Sequence, residues 1–414
     1  MNSQCRDAKA GTGFAVCGPT IHQLNSKSDR KRLRHVDGLR GVAMLLVFLG
    51  HFTAVWTQLP RPQGSAGWFL RLVDADATFG SSFFMLISAF FAYGSLQRGR
   101  SFTEFLQARF RRLYPLYFIL SMVYIAGSLA IPRMSKLPSD PHRIPLFLLE
   151  NLLMLPGLFH ISPLMDVSWT LSFIIAFYFI AAALAALFRR WYVPRIWKII
   201  GFSAAGIAWA VAGDRFGWWE PRTAMFWTGM AMCEVTGAIT TERREWAARM
   251  TLPAAAIIIL GVWARTQLML SQSATPFVSV LVWRAVITSF TLSALLWFCY
   301  FGPQWWEKLM STDALLKLGT ASYSFYLTHG FTVKMFRYGI IPLLGVYAGK
   351  APVFWLSQVA GLALSIWTAR IAYTTIEKPL SNVWNVSGLW KPSFSLPGAH
   401  RVPETLRPAR PLSA

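Results

Sequence analysis

Ten stretches of mostly apolar residues, each about a membrane's width, alternate along this chain with short polar, arginine-bearing segments. They run near 38–58, 77–97, 114–131, 167–188, 197–213, 223–240, 251–270, 280–301, 316–342 and 353–376. A hydrocarbon layer about 30 Å thick needs about 20 apolar residues in a helix, and these stretches predict membrane-spanning helices. The stretch 146–159 is apolar but too short to cross alone, so it lies at the interface or dips into the protein. The predicted fold class is all-α: a polytopic membrane protein of about ten transmembrane helices.

The first 35 residues lack the apolar core of a secretory signal and turn basic at Lys27, Arg30, Lys31, Arg32 and Arg34. They read as a basic tail, residues 36–380 as the transmembrane unit, and 381–414, with Pro392, Pro397, Pro403, Pro408 and Pro411, as a disordered tail. An even number of spans puts both termini on one side. The loops of that side hold Arg98, Arg100, Arg109, Arg111 and Arg112, then Arg189, Arg190 and Arg195, then Arg243, Arg244 and Arg249. Opposite loops are poorer in arginine. The positive-inside rule therefore predicts cytoplasmic termini in a multi-pass protein of the inner (plasma) membrane.

Composition agrees. Charged residues are 14% of the chain, against about 25% in soluble domains, and mean hydropathy is +0.41. The net charge of +22 invites a nucleic-acid reading. No soluble basic domain remains once the spans are removed, so the lipid bilayer is the expected partner and nucleic acid is not. Cys5, Cys17, Cys233 and Cys299 have neither metal nor disulfide spacing, and no metal is expected.

Against this apolar background the ionisable residues stand out. His51 follows Arg40 by three helical turns, so Arg40, Met44, Val47 and His51 share one stripe. With Arg40 at the membrane surface, His51 lies roughly 16 Å deeper, a buried histidine near the midplane. Such a residue is costly there unless it faces protein or a water-filled cavity. It is a candidate general base for a hydroxyl proton, or a histidine hydrogen-bonded to a neighbouring helix. Arg109 and Arg112 share a face if their segment is helical. Guanidinium forks suit the phosphates of an acyl-coenzyme A, although arginines there also serve as topology signals. Ser88 lies in span two without a Gly-x-Ser-x-Gly elbow, so helix packing competes with any substrate role. Tyr323, Tyr326 and His329, spaced by three, line either a substrate cavity or an interfacial aromatic edge. Glu377 ends the last span, placed to pair with Arg40 or Arg112.

Together these motifs resemble the acyltransferase-3 family of integral membrane O-acyltransferases. In order they are Asp37-Gly38-Leu39-Arg40-Gly41 to His51, Phe83-Phe84 to Ser88, Arg109 and Arg112 before Pro115, Ser168-Trp169-Thr170-Leu171, Leu318-Gly319 to His329, and Glu377-Lys378-Pro379. The resemblance implies an enzyme moving acetyl- or succinyl-class groups from acyl-coenzyme A, a co-substrate rather than a bound cofactor, to hydroxyls of a cell-surface, secreted or lipid-linked glycan such as lipopolysaccharide or exopolysaccharide. It implies catalytic roles for Arg40 and His51 and donor handling by Arg109 and Arg112; Ser88, Trp169, Tyr323, Tyr326 and His329 are candidate substrate- or donor-binding residues, and Asp37 and Glu377 candidate boundary residues. Two positions depart from the family pattern. Ala89 stands where a glycine usually follows the serine, and Ile174 lies where a glutamate is common after the Trp-Thr-Leu motif. Asp166 is eight residues before Ile174, roughly 12 Å along a helix, too far to replace that glutamate directly. Two other readings are a secondary transporter with His51 and His329 as proton-relay or substrate-binding groups, whose usual paired repeats are missing here, and a catalytically silent relative, favoured only by Ile174.

Overall fold

The computed structural model describes residues 27–56, 64–76, 78–99, 101–131, 135–240, 242–271 and 279–381. The segment 382–414, most of the basic tail, Cys5, Cys17, Arg61, Arg100 and Arg133 lie outside the described residues. Most of the described residues are helical, and none of them forms a strand.

The chain begins with α1 (Lys27–Thr53), α2 (Gly64–Asp76), α3 (Phe79–Gln97), α4 (Phe102–Ala130) and the short α5 (Ile144–Leu152). It continues through α6 (Trp169–Arg190), α7 (Arg195–Phe216), α8 (Met225–Gly237), α9 (Arg244–Arg249), α10 (Thr251–Ser271) and α11 (Val280–Phe301). The last third holds α12 (Gln304–Met310), α13 (Asp313–Thr320), α14 (Ser322–Met335), α15 (Ile341–Leu344) and α16 (Ala351–Ala372). Helix α1 starts at Lys27, inside the segment read as a tail. Among the described residues, eight helices are long and apolar enough to cross a membrane. The two stretches outside that set, 223–240 and 316–342, are built from pieces. The first is a 3₁₀ turn, Pro221–Ala224, leading into α8. The second is α13, α14 and a π-helical turn, Phe336–Ile340. Helices α8 and α14 are largely buried in the bundle, where neighbouring helices satisfy a broken backbone.

Local chemistry sets the ends. Ser101 caps α4 and Glu104 completes the reciprocal capping box, so the helix starts well before the span expected at 114 and carries the arginines in helical register. Gly217 adopts φ 66° and stops α7 in the left-handed conformation that glycine accepts without strain.

The bundle has two chemically distinct ends. At the basic end, Glu234 of α8 is buried and gathers four partners. Tyr93 Oη donates at 2.8 Å, Gln97 Nε2 at 2.5 Å, and the Arg195 and Lys198 cations sit at 3.3 and 3.4 Å. The carboxylate thus ties α3, α7 and α8 together where it has both charge balance and hydrogen bonds, as a buried ion requires. At the opposite, aromatic end, Arg222 reaches Ser81 at 3.5 Å, Trp209 Nε1 donates to Thr223 at 2.8 Å, and the Ser279 hydroxyl donates to Asp214.

Helix α1 threads the middle, packed on α3, α13 and α14. Its crossings with the end of α12 and with α13 are backbone on backbone. A Cβ added to Gly38 would lie 1.7 Å from the Met310 carbonyl oxygen, and one added to Gly319 would lie 1.7 Å from that of Asp37. Small residues allow such approach where hydrocarbon leaves packing to hold helices together. Near the other end of α1, the Phe52 ring sits where a Cβ of Gly361 would fall. Gly361 is roughly 15 Å along α16 from its start at Ala351. The last turn of α1, which carries His51, therefore lies at mid-height in the bundle.

Candidate active site

At the basic end, α1, α3, α4, α6 and α14 converge on a small cavity of about 40 Å³. Arg40, Ser88, Arg109, Arg112 and Tyr323 all line it, beside Phe84, Phe91 and Tyr178. Five residues singled out from sequence are thus brought together. Each cation is held in place. Arg40 Nη1 donates to Asp37 at 3.0 Å, and its guanidinium lies 4.9 Å from the centre of the Phe91 ring. Arg109 lies between Phe105 and Tyr178, at 5.3 and 5.4 Å. These are cation–π distances. Arg112 Nε stands 4.0 Å from Glu377, which also accepts from the Ser324 hydroxyl at 2.5 Å. Of the two partners open to Glu377, the structure selects Arg112. Tyr323 Oη donates to the Leu113 carbonyl, fixing α14 against α4 beside the arginines.

One layer further toward the aromatic end, Phe84 stacks on Tyr326 with ring centres 5.7 Å apart, closing the cavity on that side. Beyond this layer lie the two histidines. His51 Nδ1 is 2.8 Å from His329 Nε2, and the rings are nearly parallel, 5.1 Å apart. His329 is wholly buried, and its Nδ1 is 3.1 Å from the Phe325 carbonyl oxygen. A carbonyl can only accept, so His329 carries its proton on Nδ1 and offers a lone pair at Nε2. His51 must then donate from Nδ1. The network assigns the lone pair of His51 to Nε2, the atom pointing away from the pair.

The expectation of a buried His51 is corrected. His51 is exposed, although it sits at mid-height and α1 ends two residues later. The pairing of its Nδ1 with the buried His329 gives the ring one polar partner at that depth.

Trp169 begins α6 at the aromatic end, with the Arg222 guanidinium 4.7 Å from the centre of its ring. The next residue, Thr170, places its hydroxyl 2.5 Å from Tyr326 Oη. Ile174, at the position where the family pattern has glutamate, is 2% exposed and belongs to the hydrophobic core. Asp166 does not substitute for a carboxylate there. It binds Lys136 at 2.8 Å and Lys334 at 3.5 Å. Burial alone would raise its pKa, but the hydrogen bond from Lys136 and the charge of Lys334 outweigh burial and hold the carboxyl below its usual range.

Sequence reasoning missed Glu234, Arg222 and the pairing of His51 with His329. The run Trp218-Trp219-Glu220-Pro221-Arg222 was the available signal for Arg222. Nothing in a linear sequence links two histidines 278 residues apart.

A helical membrane bundle with a cation-lined cavity and a deeper imidazole pair defines the class: an integral membrane protein equipped for group transfer. The family described as an acyltransferase domain matches residues 33–373, and the chain belongs to that acyltransferase family. It is 28% identical over 372 residues to the acyltransferase MdmB of Streptomyces mycarofaciens, covering 84% of this chain and 91% of that protein. No solved structure matches the chain. The protein is therefore a membrane acyltransferase of the acyltransferase-3 family.

Proposed function

We propose that this acyltransferase moves an acetyl- or succinyl-class group from acyl-coenzyme A to a hydroxyl of a cell-surface or secreted glycan. The observation that carries the reading is the free Nε2 of His51, set one aromatic layer beyond a cavity lined by three arginines. The basic end is cytoplasmic on this reading, which matches the arginine-rich loops and leaves the protein multi-pass in the inner membrane with both termini inside.

The donor's phosphates meet Arg109 and Arg112, with Arg40 deeper in the same cavity. Its pantetheine arm bridges the roughly 16 Å from Arg40 to His51. The cavity is narrow, so the donor displaces side chains, Phe84 foremost, as it threads toward the histidines. His51 Nε2 removes the acceptor's hydroxyl proton as the oxygen attacks the thioester carbonyl. The tetrahedral intermediate expels the coenzyme A thiolate as the C–S bond breaks, and the His51 imidazolium returns the proton to sulfur. His329 holds the required tautomer and spreads the transient positive charge through Nε2, with the Phe325 carbonyl behind it. This histidine pair does the orienting that a carboxylate at position 174 would otherwise do.

The test is direct. Purified protein in lipid nanodiscs is given radiolabelled acetyl- or succinyl-coenzyme A and de-O-acylated glycan from the source cells. Label should enter the glycan as a base-labile ester. Label transfer to no hydroxyl-bearing acceptor would reject the proposal.

A further inference from the structure

A cavity of about 620 Å³ lies at the aromatic end, much larger than the arginine-lined cavity and sharing no residue with it. We infer that this cleft is the acceptor site and that it takes a neutral, hydroxyl-rich sugar ring, approaching from the side opposite the donor. This rests on the glycan acyltransferase reading above.

Four observations support the assignment. First, volume: the cleft falls within the range of small-ligand sites, about 300–1,000 Å³, whereas the basic cavity holds about one water-sized group. Second, surface: Trp218 and Phe159 line the cleft and are 66% and 58% exposed. Large aromatic faces left open are matched by the C–H face of a pyranose, and water is the poorer neighbour for both. Their scaffold is rigid. Trp219 beside Trp218 stacks on Trp209 at 4.5 Å and donates Nε1 to the Trp209 carbonyl at 3.1 Å. The loop bearing Phe159 is pinned by Asn151, which accepts from Leu164 N at 2.7 Å and donates to the Ser162 carbonyl at 3.3 Å.

Third, charge: Asp214 and Glu220 line the cleft with Arg222, whose Nε is 3.5 Å from Glu220. Two carboxylates against one paired guanidinium repel a polyphosphate donor and accept hydrogen bonds from hydroxyls. Fourth, connection: Trp169 in the cleft wall precedes Thr170, which bonds Tyr326, and the Tyr326 ring lies 5.9 Å from that of His329. Two side chains, Thr170 and Tyr326, therefore connect the cleft wall to His329.

The test uses full-length protein in nanodiscs without donor. The probes are a panel of neutral gluco-, galacto-, manno- and N-acetylglucosamino-trisaccharides, read by saturation-transfer NMR, with acetyl-coenzyme A as the counter-probe. At least one trisaccharide should bind the wild type through one ring face. Trp218→Ala and Glu220→Gln, both at exposed positions, should each weaken that binding about tenfold and leave acetyl-coenzyme A binding unchanged. Undiminished sugar binding in both variants, or weakened acetyl-coenzyme A binding in both, would overturn the assignment, as would failure of every trisaccharide to bind. Sugar binding needs no turnover. Cleft-dependent binding by a protein that transfers no acyl group would reject the proposed reaction and uphold the cleft. Glycan acylation with an acceptor KM that both variants leave unmoved would do the reverse.

Discussion

The two ends of this bundle differ in chemistry although the same helices help to build both. The basic cavity is small and lined by Arg40, Arg109 and Arg112, with no carboxylate in its lining. The aromatic-end cleft is roomy and mixes open aromatic faces with Asp214, Glu220 and Arg222. Helix α3 shows how short the interval is. Ser81 meets Arg222 of the cleft, Ser88 lines the cavity, and Phe84 stands between them, within roughly 10 Å of helix. On the proposed reading, that change of sign over a short distance sorts an anionic donor from a neutral acceptor, with Phe84 displaced as the donor passes, and neither region alone is the active site because both serve His51.

His51→Ala should do the most damage, because it removes the group both regions serve. Acyl transfer should fall about 10²–10⁴-fold, the usual worth of general acid–base help, while donor binding and thermal stability hold. Normal transfer by a well-expressed variant would end the assignment of the base. His329 adds a finer cut. His329→Gln keeps an acceptor for His51 Nδ1 and should retain most activity. His329→Phe removes it and should cost roughly tenfold in kcat, the worth of one net hydrogen bond, with both KM values unmoved. A purely packing role would reverse that ranking.

Ile174 tests whether the boundary between the regions tolerates charge. Ile174→Glu places a carboxyl at a position that is 2% exposed in the core. Destabilisation of several kcal/mol is expected, visible as a lower melting temperature in detergent. Retained stability with faster turnover would show instead that the pocket still receives the family's carboxylate.

How legible all this was depends on the range of the interaction. The apolar stretches come from local composition, and they foretold the helical bundle. The cavity arginines were legible too, because Arg109 and Arg112 are neighbours on one helix and Arg40 belongs to the motif leading to His51. Interactions closing over long sequence separations were not. The His51–His329 pair, the Glu234 cluster and the contact of Gly38 with Met310 depend on which helices become neighbours, which periodicity does not encode. The cleft was least visible. Phe159, Trp218 and Glu220 lie in connections between helices, where no repeat marks a face. The break in α1 after Thr53 was hidden as well. An apolar pattern extending to 58 predicted a full span, whereas the helix ends at mid-height and leaves His51 exposed.

Arg109 and Arg112 offer a test confined to one region. Gln at both positions should raise the acyl-coenzyme A KM about tenfold through loss of charge-assisted phosphate contacts and leave the acceptor KM alone. Lys at both should restore only part of the affinity, since an ammonium lacks the bidentate fork. An unchanged donor KM would return the pair to a topological role.

The smallest effect belongs to Asp166, at the other end, and it isolates structure from catalysis. Its carboxylate joins Lys136 to Lys334 of α14, the helix that also carries His329. The carboxylate is 53% exposed, so the pairing is screened and contributes less than about 1 kcal/mol. The folded-state pKa is depressed by the two ammonium groups. The stabilisation is therefore fully present above the unfolded carboxyl's pKa of about 3.9 and fades as pH falls through the lower folded value. Asp166→Asn should melt slightly below wild type at pH 7, and the two should converge in acid. The gap should also narrow in high salt, because exposed pairs are screened. A gap that persists in acid would mean that the Asp166 side chain acts by shape or neutral hydrogen bonding. A gap with no salt dependence, joined to a large loss of kcat, would mean that the electrostatics of this end act on His51 itself, and the division between a structural rim and a chemical centre would have to be redrawn.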